Sequence, residues 1–136
     1  MTMLLVVAAA LGDDGGRYLL QKRPEGSSMA GLWEFPGGKV EAGEQPEAAL
    51  ARELREELSI AIDPAQLWPI SFASASIETL SGPRDLVLLL FGCRQWKGTI
   101  ANLHADAIGW FTPSQMRELA MPPADYPLVQ VLARGD

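Results

Sequence analysis

The sequence predicts a single α/β domain, on three observations. Its 136 residues match the usual size of one domain, and 48% of them are hydrophobic, which is enough for a buried core. Strand-like apolar runs occur on both sides of one strongly helical stretch. No internal repeat, low-complexity segment or linker divides the chain, so we expect one domain over residues 1–136.

The first half is predicted to contain three strands and the main helix. Aliphatic residues from Met3 to Leu11 indicate a buried strand, and residues 17–23 resume after a turn, which together predict a hairpin. A short strand at 32–35 is closed by a proline and two glycines. Strong helix formers behind a proline predict a helix from Pro46 to Leu58.

The second half is predicted to contain three more strands and two short helices. The strand-like stretches are Leu67–Ile77, Asp85–Cys93 and Ala107–Phe111. A helix is expected from Pro113 to about Ala120, since a threonine and a proline begin it. The proline-rich stretch at 121–127 predicts a rigid loop before a last helical turn or two.

Charge and cysteine content exclude several functional classes. With 11 basic and 17 acidic residues the net charge is -6, which repels nucleic acid and anionic membranes, so a polyanionic ligand would need a metal ion. The lone Cys93 excludes an internal disulfide and suits a cytoplasmic location. Cys93 lies in an apolar run, which favours buried core, with a catalytic nucleophile as the alternative.

A cluster of carboxylates on the predicted helix indicates a divalent-metal site. Glu53, Glu56 and Glu57 fall within an arc of about 100°, beside a stripe of leucines that would face the core. Arg52 is placed four residues before Glu56 and can tether it. Oxygen ligands without His or Cys are preferred by Mg²⁺ and Mn²⁺. The alternative is a solvated charged helix face.

The spacing of these residues resembles a known motif. From Gly38 the order is five residues, Glu44, seven residues, Arg52-Glu53-Leu54, one residue, Glu56-Glu57, one residue and Ser59-Ile60. This resembles the Nudix box of the Nudix hydrolases at every defining position except Ser59, where the family has glycine. If the backbone at Ser59 is left-handed, serine costs about 1 kcal/mol there.

The resemblance implies a fold and a reaction. The implied fold is the Nudix α/β/α sandwich, in which the box forms a loop, helix and loop beside a mixed sheet. Residues 21–44 further resemble the MutT and CTP pyrophosphohydrolase branch of the family. The implied reaction is hydrolysis of a nucleoside triphosphate to the monophosphate and pyrophosphate with Mg²⁺, for which Mn²⁺ can substitute, in cleaning oxidised or non-canonical nucleotides from the pool and so in DNA repair.

The resemblance also implies roles for the box residues. The implied metal ligands are Glu53, Glu56 and Glu57 with the main-chain carbonyl of Gly37, and the four implied catalytic residues are these three glutamates and Arg52. Glu53 is the candidate general base. Glu44 and Arg52 are expected to hold the box together.

Substrate contacts are expected on both sides of the box. The expected set is Arg23, Glu34, Phe35, Gly37, Gly38, Lys39 and Asp125. Arg23 occupies the place of a phosphate-contacting arginine, with a solvated charge as the alternative. Trp33 and Phe35 are expected in the core rather than stacked on a base. Asp125 stands where MutT relatives have a base-reading Asn; an ionised Asp only accepts hydrogen bonds, and it could instead cap a helix.

Some choices stay open from sequence alone. MutT-like relatives carry a metal-site glutamate near His104, for which His104 or Asp106 could substitute, or His104 could simply face solvent. The substrate could be another nucleoside diphosphate-linked compound, such as a nucleotide sugar or dinucleoside polyphosphate. A non-catalytic recognition module and a simple acidic cation binder also stay open. We expect a small-molecule partner, with no nucleic acid or membrane, and a monomer or homodimer.

Overall fold

The computed structural model describes residues 3–134 and contains seven strands and three α-helices within that range. The strands are β1 (Leu4–Leu11), β2 (Tyr18–Lys22), β3 (Trp33–Glu34), β4 (Gly37–Lys39), β5 (Trp68–Thr79), β6 (Gly82–Cys93) and β7 (Ala107–Phe111). The helices are α1 (Pro46–Leu58), α2 (Pro113–Met116) and α3 (Asp125–Arg134), with a 3₁₀ turn at Pro64–Gln66.

The strands form two sheets, of which the larger is mixed. Its order is β4-β1-β6-β5, with β1 parallel to β6 and the other pairs antiparallel. The smaller sheet has the order β3-β2-β7 and is antiparallel throughout. Because successive side chains of β1 point to opposite faces, Val7 and Ala9 pack toward α1 while Ala8 and Ala10 pack toward α3. The layered α/β arrangement with a mixed sheet is therefore confirmed.

The predicted hairpin between the first two strands is wrong. β1 and β2 lie in different sheets and are joined only by a bridge between Gly12 and Tyr18. Both edges of β1 are already occupied, by β4 on one side and β6 on the other. β2 therefore pairs with β3 and β7, and this places a side chain of β2 within hydrogen-bond distance of helix α1.

Helix α1 forms as predicted, because its sequence suits a helix start, a helix end and a buried apolar face. Pro46 stands in the first turn, where its missing N–H is not needed. Leu50, Leu54 and Leu58 are completely buried, and burying each such side chain contributes about 1.5–3 kcal/mol. The helix ends at Ser59, whose φ of 61° is left-handed and whose N–H donates to the carbonyl of Arg55.

Several element boundaries differ from the sequence prediction. α2 ends at Met116 instead of Ala120, after a Thr112–Gln115 capping box that stabilises only one turn. α3 begins at Asp125 and runs for 10 residues, although the prolines predicted a loop to 127. Gly37–Lys39, expected to be loop, pairs with β1 as strand β4.

The apolar segments lie where the sequence placed them. Cys93 is 1% exposed, which confirms that it belongs to the core. The apolar run near the N-terminus is strand β1. Across residues 3–134, no helix has both the length and the apolar character needed to cross a membrane.

We predict that Ser59→Gly stabilises the protein by about 0.5–1 kcal/mol, because glycine adopts a left-handed backbone without a Cβ clash. Urea unfolding of both proteins measures the difference. Ser59→Ala is the matched control, since alanine keeps the Cβ and should gain nothing. A Ser59→Gly protein no more stable than Ser59→Ala would contradict the prediction.

Candidate metal and nucleotide site

The strand β4 and the helix α1 meet at the residues that the sequence singled out. A side chain at Gly37 would collide with the backbone of Val7 on β1, and one at Gly38 would collide with the carboxylate of Glu53. Both glycines therefore permit close approach, the first of two strands and the second of strand and helix. The result places the Glu53 carboxylate directly against the backbone of β4.

Arg52 connects the loop, the helix and β4. Its Nε and Nη2 donate to the two oxygens of Glu44 at 2.7 and 3.0 Å. Nη1 donates to Glu53 at 2.8 Å and to Glu56 at 3.4 Å, and Nη2 also donates to the carbonyl of Lys39 at 3.1 Å. These hydrogen bonds lower the pKa of Glu44 to about 2 and raise that of Arg52. The guanidinium thus offsets part of the repulsion among the glutamates.

Glu57 lies on the buried side of the cluster. Its pKa is raised to about 8, chiefly by burial and also by the charges of Glu53 and Glu34, against the lowering effect of hydrogen bonds from Gln21 and the Gly37 backbone. The Gln21 Nε2 donates to Glu57 Oε1 at 3.1 Å. An ionised Glu57 is therefore costly at this position unless positive charge is supplied.

The residues fit a hard divalent cation by their chemistry. Within residues 3–134, no three acidic, His or Cys side chains stand close enough to form a complete ligand set in this arrangement. Arg52 holds Glu53 and Glu56, and Gln21 holds Glu57. The available donors are all oxygens, and their crowding raises the free energy of the ionised cluster, which a cation would offset. The Glu56 side chain is 56% exposed, so it has room to rotate toward a cation.

Arg23 is held in place by neighbouring groups. Its Nη1 donates to both oxygens of Glu34 at 3.0 and 3.1 Å, and its Nε donates to the carbonyl of Ser28 at 2.7 Å. The Arg23 side chain is 24% exposed and is paired with Glu34, so it is ordered at the end of β2; its contact with phosphate stays a prediction. Burial raises the pKa of Glu34, and the Arg23 charge counteracts part of that effect.

Asp125 is a buried carboxyl at the start of α3. It is 4% exposed, and its Oδ2 accepts a hydrogen bond from the Phe35 N–H at 3.2 Å. Burial raises its pKa to about 8, the charge of Glu34 adds to the shift, and Arg23 opposes it. Asp125 is the first residue of the helix itself and bonds across the fold to Phe35. This position places it beside the Arg23–Glu34 pair.

Phe35, from the expected substrate set, and the nearby Trp33 both pack in or against the core. Phe35 is 3% exposed. The Trp33 ring is partly buried and meets Phe111 edge-on, with ring centroids 5.1 Å apart. The core interpretation is confirmed for both residues. Phe35 packs in the core and its backbone N–H donates to Asp125. Lys39 is exposed on β4 and is free to turn toward an anion.

His104 and Asp106 lie in the loop before β7, and both are exposed. The charge of His104 reaches Glu34 weakly and lowers its pKa, after larger effects of burial and Arg23. Across the described residues, neither side chain forms a hydrogen bond to the glutamates of α1. Their part in a metal site stays a prediction.

The sequence prediction missed Gln21, which is 2% exposed and bonded to Glu57. The signal available was a single amide within the otherwise apolar stretch of strand β2. An amide is costly to bury without a partner, so such a residue marks a polar contact inside the fold.

Two cavities of the described fold lie away from the carboxylates of α1. A cavity of about 520 Å³ is lined by Ile62 and Trp96 among others, and one of about 330 Å³ by Tyr18 and Trp68 among others. Neither contains a glutamate of α1. Because the reaction of an anhydride depends on charge more than on enclosure, we assign the site by the carboxylates.

We predict that Asp125→Asn gains stability over the unaltered protein as pH rises. The pKa of Asp125 is about 8 in the fold against an ordinary 3.8. The contribution of Asp125 to the free energy of unfolding is therefore full below about pH 4 and is lost as pH rises toward about 8. Asn does not ionise. The gap in unfolding free energy should widen by at least about 1.4 kcal/mol, the equivalent of one pKa unit.

Urea unfolding between about pH 4 and pH 8 measures that gap. The exposed Asp106→Asn substitution is the control for loss of an acidic residue. A gap for Asp125→Asn that stays constant over this range would show that the Asp125 carboxyl is not buried in the folded protein.

The whole chain resembles known proteins. The NUDIX domain family matches residues 2–132. The chain is 38% identical over 130 residues to the CTP pyrophosphohydrolase of Escherichia coli K12, covering 96% of this chain and 91% of that protein. It is 27% identical over 134 residues to the 8-oxo-dGTP diphosphatase of the same strain, covering 98% and 99%.

Solved structures agree with these relationships. The solution structure of the E. coli ORF135 protein has a TM-score of 0.80 at 38% identity, covering 98% of this chain and 90% of that one. A MutT structure from a study of Aliivibrio salmonicida and Vibrio cholerae has a TM-score of 0.77 at 29% identity, covering 98% and 99%. The predicted Nudix fold is confirmed, and the chain belongs to the NUDIX domain family.

Proposed function

We propose that this protein hydrolyses nucleoside triphosphates to nucleoside monophosphate and pyrophosphate with Mg²⁺, or with Mn²⁺ in its place, in the cytoplasmic nucleotide pool. The observation that carries the proposal is the group of carboxylates on α1, organised by Arg52 against the glycines of β4. Relatives named as pyrophosphohydrolases and diphosphatases over nearly the full chain support it.

The proposed metal ligands are Glu53, Glu56, Glu57 and the carbonyl of Gly37. A bound divalent ion would screen the phosphate charge, polarise the phosphoryl oxygens and acidify water. The protein's own contribution is to keep several carboxylates together, and Arg52 does this by bonding Glu44 and Glu53 at once.

Glu53 is the proposed general base. Its carboxylate is only 16% exposed, and its Oε1 is oriented by the 2.8 Å hydrogen bond from Arg52. A carboxylate held in this way can accept a proton from attacking water without first having to be ordered. Arg52 is the positioning residue for this step.

Arg23, Lys39 and the backbone of Gly37 and Gly38 are the proposed contacts to the phosphates. Arg23 is already bonded to Glu34, so it reaches an anion only while sharing or releasing that partner. The guanidinium has several N–H donors. Its Nε and Nη2 donate to the carbonyl and the hydroxyl of Ser28, which also hold it in place. The ion pair keeps the guanidinium ordered in the absence of substrate.

Glu34 and Asp125 are the proposed contacts to the base. With its raised pKa, Asp125 carries a proton near neutral pH and can both donate and accept, as an Asn does. When ionised it only accepts, which suits an exocyclic amine. Both an oxidised guanine and a cytosine are thus compatible with this pair, and the relatives' names include substrates of both kinds.

The test is pyrophosphate release from a panel of 8-oxo-dGTP, dGTP, CTP, dCTP, 5-hydroxy-CTP, ADP-ribose and a dinucleoside tetraphosphate. We expect turnover of triphosphates only with a divalent ion, and a preference in kcat/KM of about tenfold, or about 1.4 kcal/mol, for one base. Faster turnover of ADP-ribose or the tetraphosphate would replace the proposed substrate class. Nucleotide binding with no turnover would instead indicate a recognition module.

We predict that Glu53→Gln lowers kcat by about 100-fold or more, because an amide does not accept the proton of water. Glu47→Gln, on the same helix and outside the cluster, is the matched control and should retain full activity. Steady-state kinetics at saturating Mg²⁺ measures both. A Glu53→Gln protein within a few-fold of the unaltered one would remove Glu53 from the role of base.

A further inference from the structure

Gln21 is an unusual residue for its surroundings. It lies near the end of β2, between Leu20 and Lys22, and is 2% exposed. Apart from Asp125, it is the only polar residue of the described part of the chain that is this deeply buried. Burying an amide without partners costs a few kcal/mol on typical scales. The hydrogen bonds of the Gln21 amide therefore indicate what it does in the fold.

The amide connects the smaller sheet to helix α1. Nε2 donates to Glu57 Oε1 at 3.1 Å, across 36 positions of the sequence. Gln21 is also the register partner of Glu34 on β3, and it lowers the pKa of that carboxyl, although burial and the Arg23 charge have larger effects. A single side-chain amide therefore bonds one carboxylate of the proposed metal site and lies beside one of the proposed base contacts.

The direction of the amide follows from these partners. Exchanging its nitrogen and oxygen would place Oε1 against the oxygens of Glu57, which is repulsive when Glu57 is ionised, the form that binds a cation. With Nε2 toward the carboxylates, Oε1 has no hydrogen-bond partner in the described part of the fold. The fold leaves a buried acceptor unsatisfied while it satisfies the donor, which indicates that the donor contact to Glu57 dominates the placement of this side chain.

We propose that Gln21 is a positioning residue for divalent-cation binding, which it supports by fixing one oxygen of the Glu57 carboxylate at the buried side of the α1 cluster. The inference rests on the metal-binding part of the proposed function. Without the amide, Glu57 would keep its place on α1 but would lose the side-chain donor that fixes its Oε1. Partners that orient a metal ligand typically contribute 10–100-fold to metal affinity.

The test is the affinity of the full chain for Mn²⁺ alone, measured from the paramagnetic resonance signal of free Mn²⁺ without nucleotide. We expect Gln21→Leu, which keeps the approximate size, to raise the Mn²⁺ Kd by about tenfold or more. Gln21→Asn keeps the amide on a shorter side chain and should also weaken Mn²⁺ binding. This result would show that the amide must reach Glu57, and that a polar group in β2 is not sufficient. Gln130→Leu on the exposed surface of α3 is the matched control and should leave the Kd unchanged.

A double-mutant cycle tests whether Gln21 acts through Glu57. Once Glu57→Gln has lowered Mn²⁺ affinity, adding Gln21→Leu should change the Kd by less than about twofold, since the ligand it orients is gone. In hydrolysis assays, Gln21→Leu should need more Mn²⁺ for half-maximal rate, with kcat at saturating Mn²⁺ within about threefold of the unaltered protein. A residue that only supports folding would lower the unfolding free energy and leave the Mn²⁺ Kd of the folded protein unchanged.

The outcomes separate this inference from the proposed function. An unaltered protein that binds Mn²⁺ and hydrolyses nucleotide, with a Gln21→Leu Kd within about twofold, would overturn the role of Gln21 alone. A tenfold weaker Kd in Gln21→Leu supports that role even if no nucleotide is hydrolysed. An unaltered protein that binds no Mn²⁺ would overturn both.

Discussion

The constraint on which the site depends is the crowding of carboxylates around helix α1. Like charges this close raise each other's free energy, and Glu57 shows the effect because burial and its neighbours raise its pKa to about 8. The fold tolerates the crowding because one guanidinium, that of Arg52, bonds Glu44, Glu53 and Glu56 together. Glycine at positions 37 and 38 then permits strand β4 to approach the same carboxylates. The cluster is thus ordered by the protein, while a cation would offset most of its remaining charge.

A second group of buried charges lies next to the first. Arg23, Glu34 and Asp125 come from three different parts of the chain, and they interact because β2, β3 and the start of α3 meet there. Gln21 donates to Glu57 of the first group and is the register partner of Glu34 in the second. This adjacency is compatible with the proposed substrate, whose phosphates would lie near α1 and whose base would lie near the start of α3. A substitution in one group should therefore change the interactions of the charged residues in the other, although the two groups are far apart in sequence.

The sequence predicted the parts of the molecule that depend on local pattern. Helix α1, the buried leucines on its inner face and the spacing of Glu53, Glu56 and Glu57 all follow from periodicity and composition. The left-handed backbone at Ser59, which the sequence raises only as a condition, is present. The pairing of β1 with β6 instead of β2 joins segments about 80 residues apart in sequence, and no local pattern encodes it. For the same reason, the partners of Gln21 and Asp125 emerged only from the fold.

If a divalent cation relieves the charge repulsion at α1, it should stabilise the folded protein. The free energy of unfolding is determined with increasing Mg²⁺ and, in parallel, with Na⁺ at matched ionic strength. A ligand that binds only the folded state stabilises it by about 2.7 kcal/mol at about 100 times its Kd, so we expect a saturable gain of that order for Mg²⁺ and none for Na⁺. Equal effects of the two salts would contradict the claim, because the carboxylates would then be merely a screened surface charge.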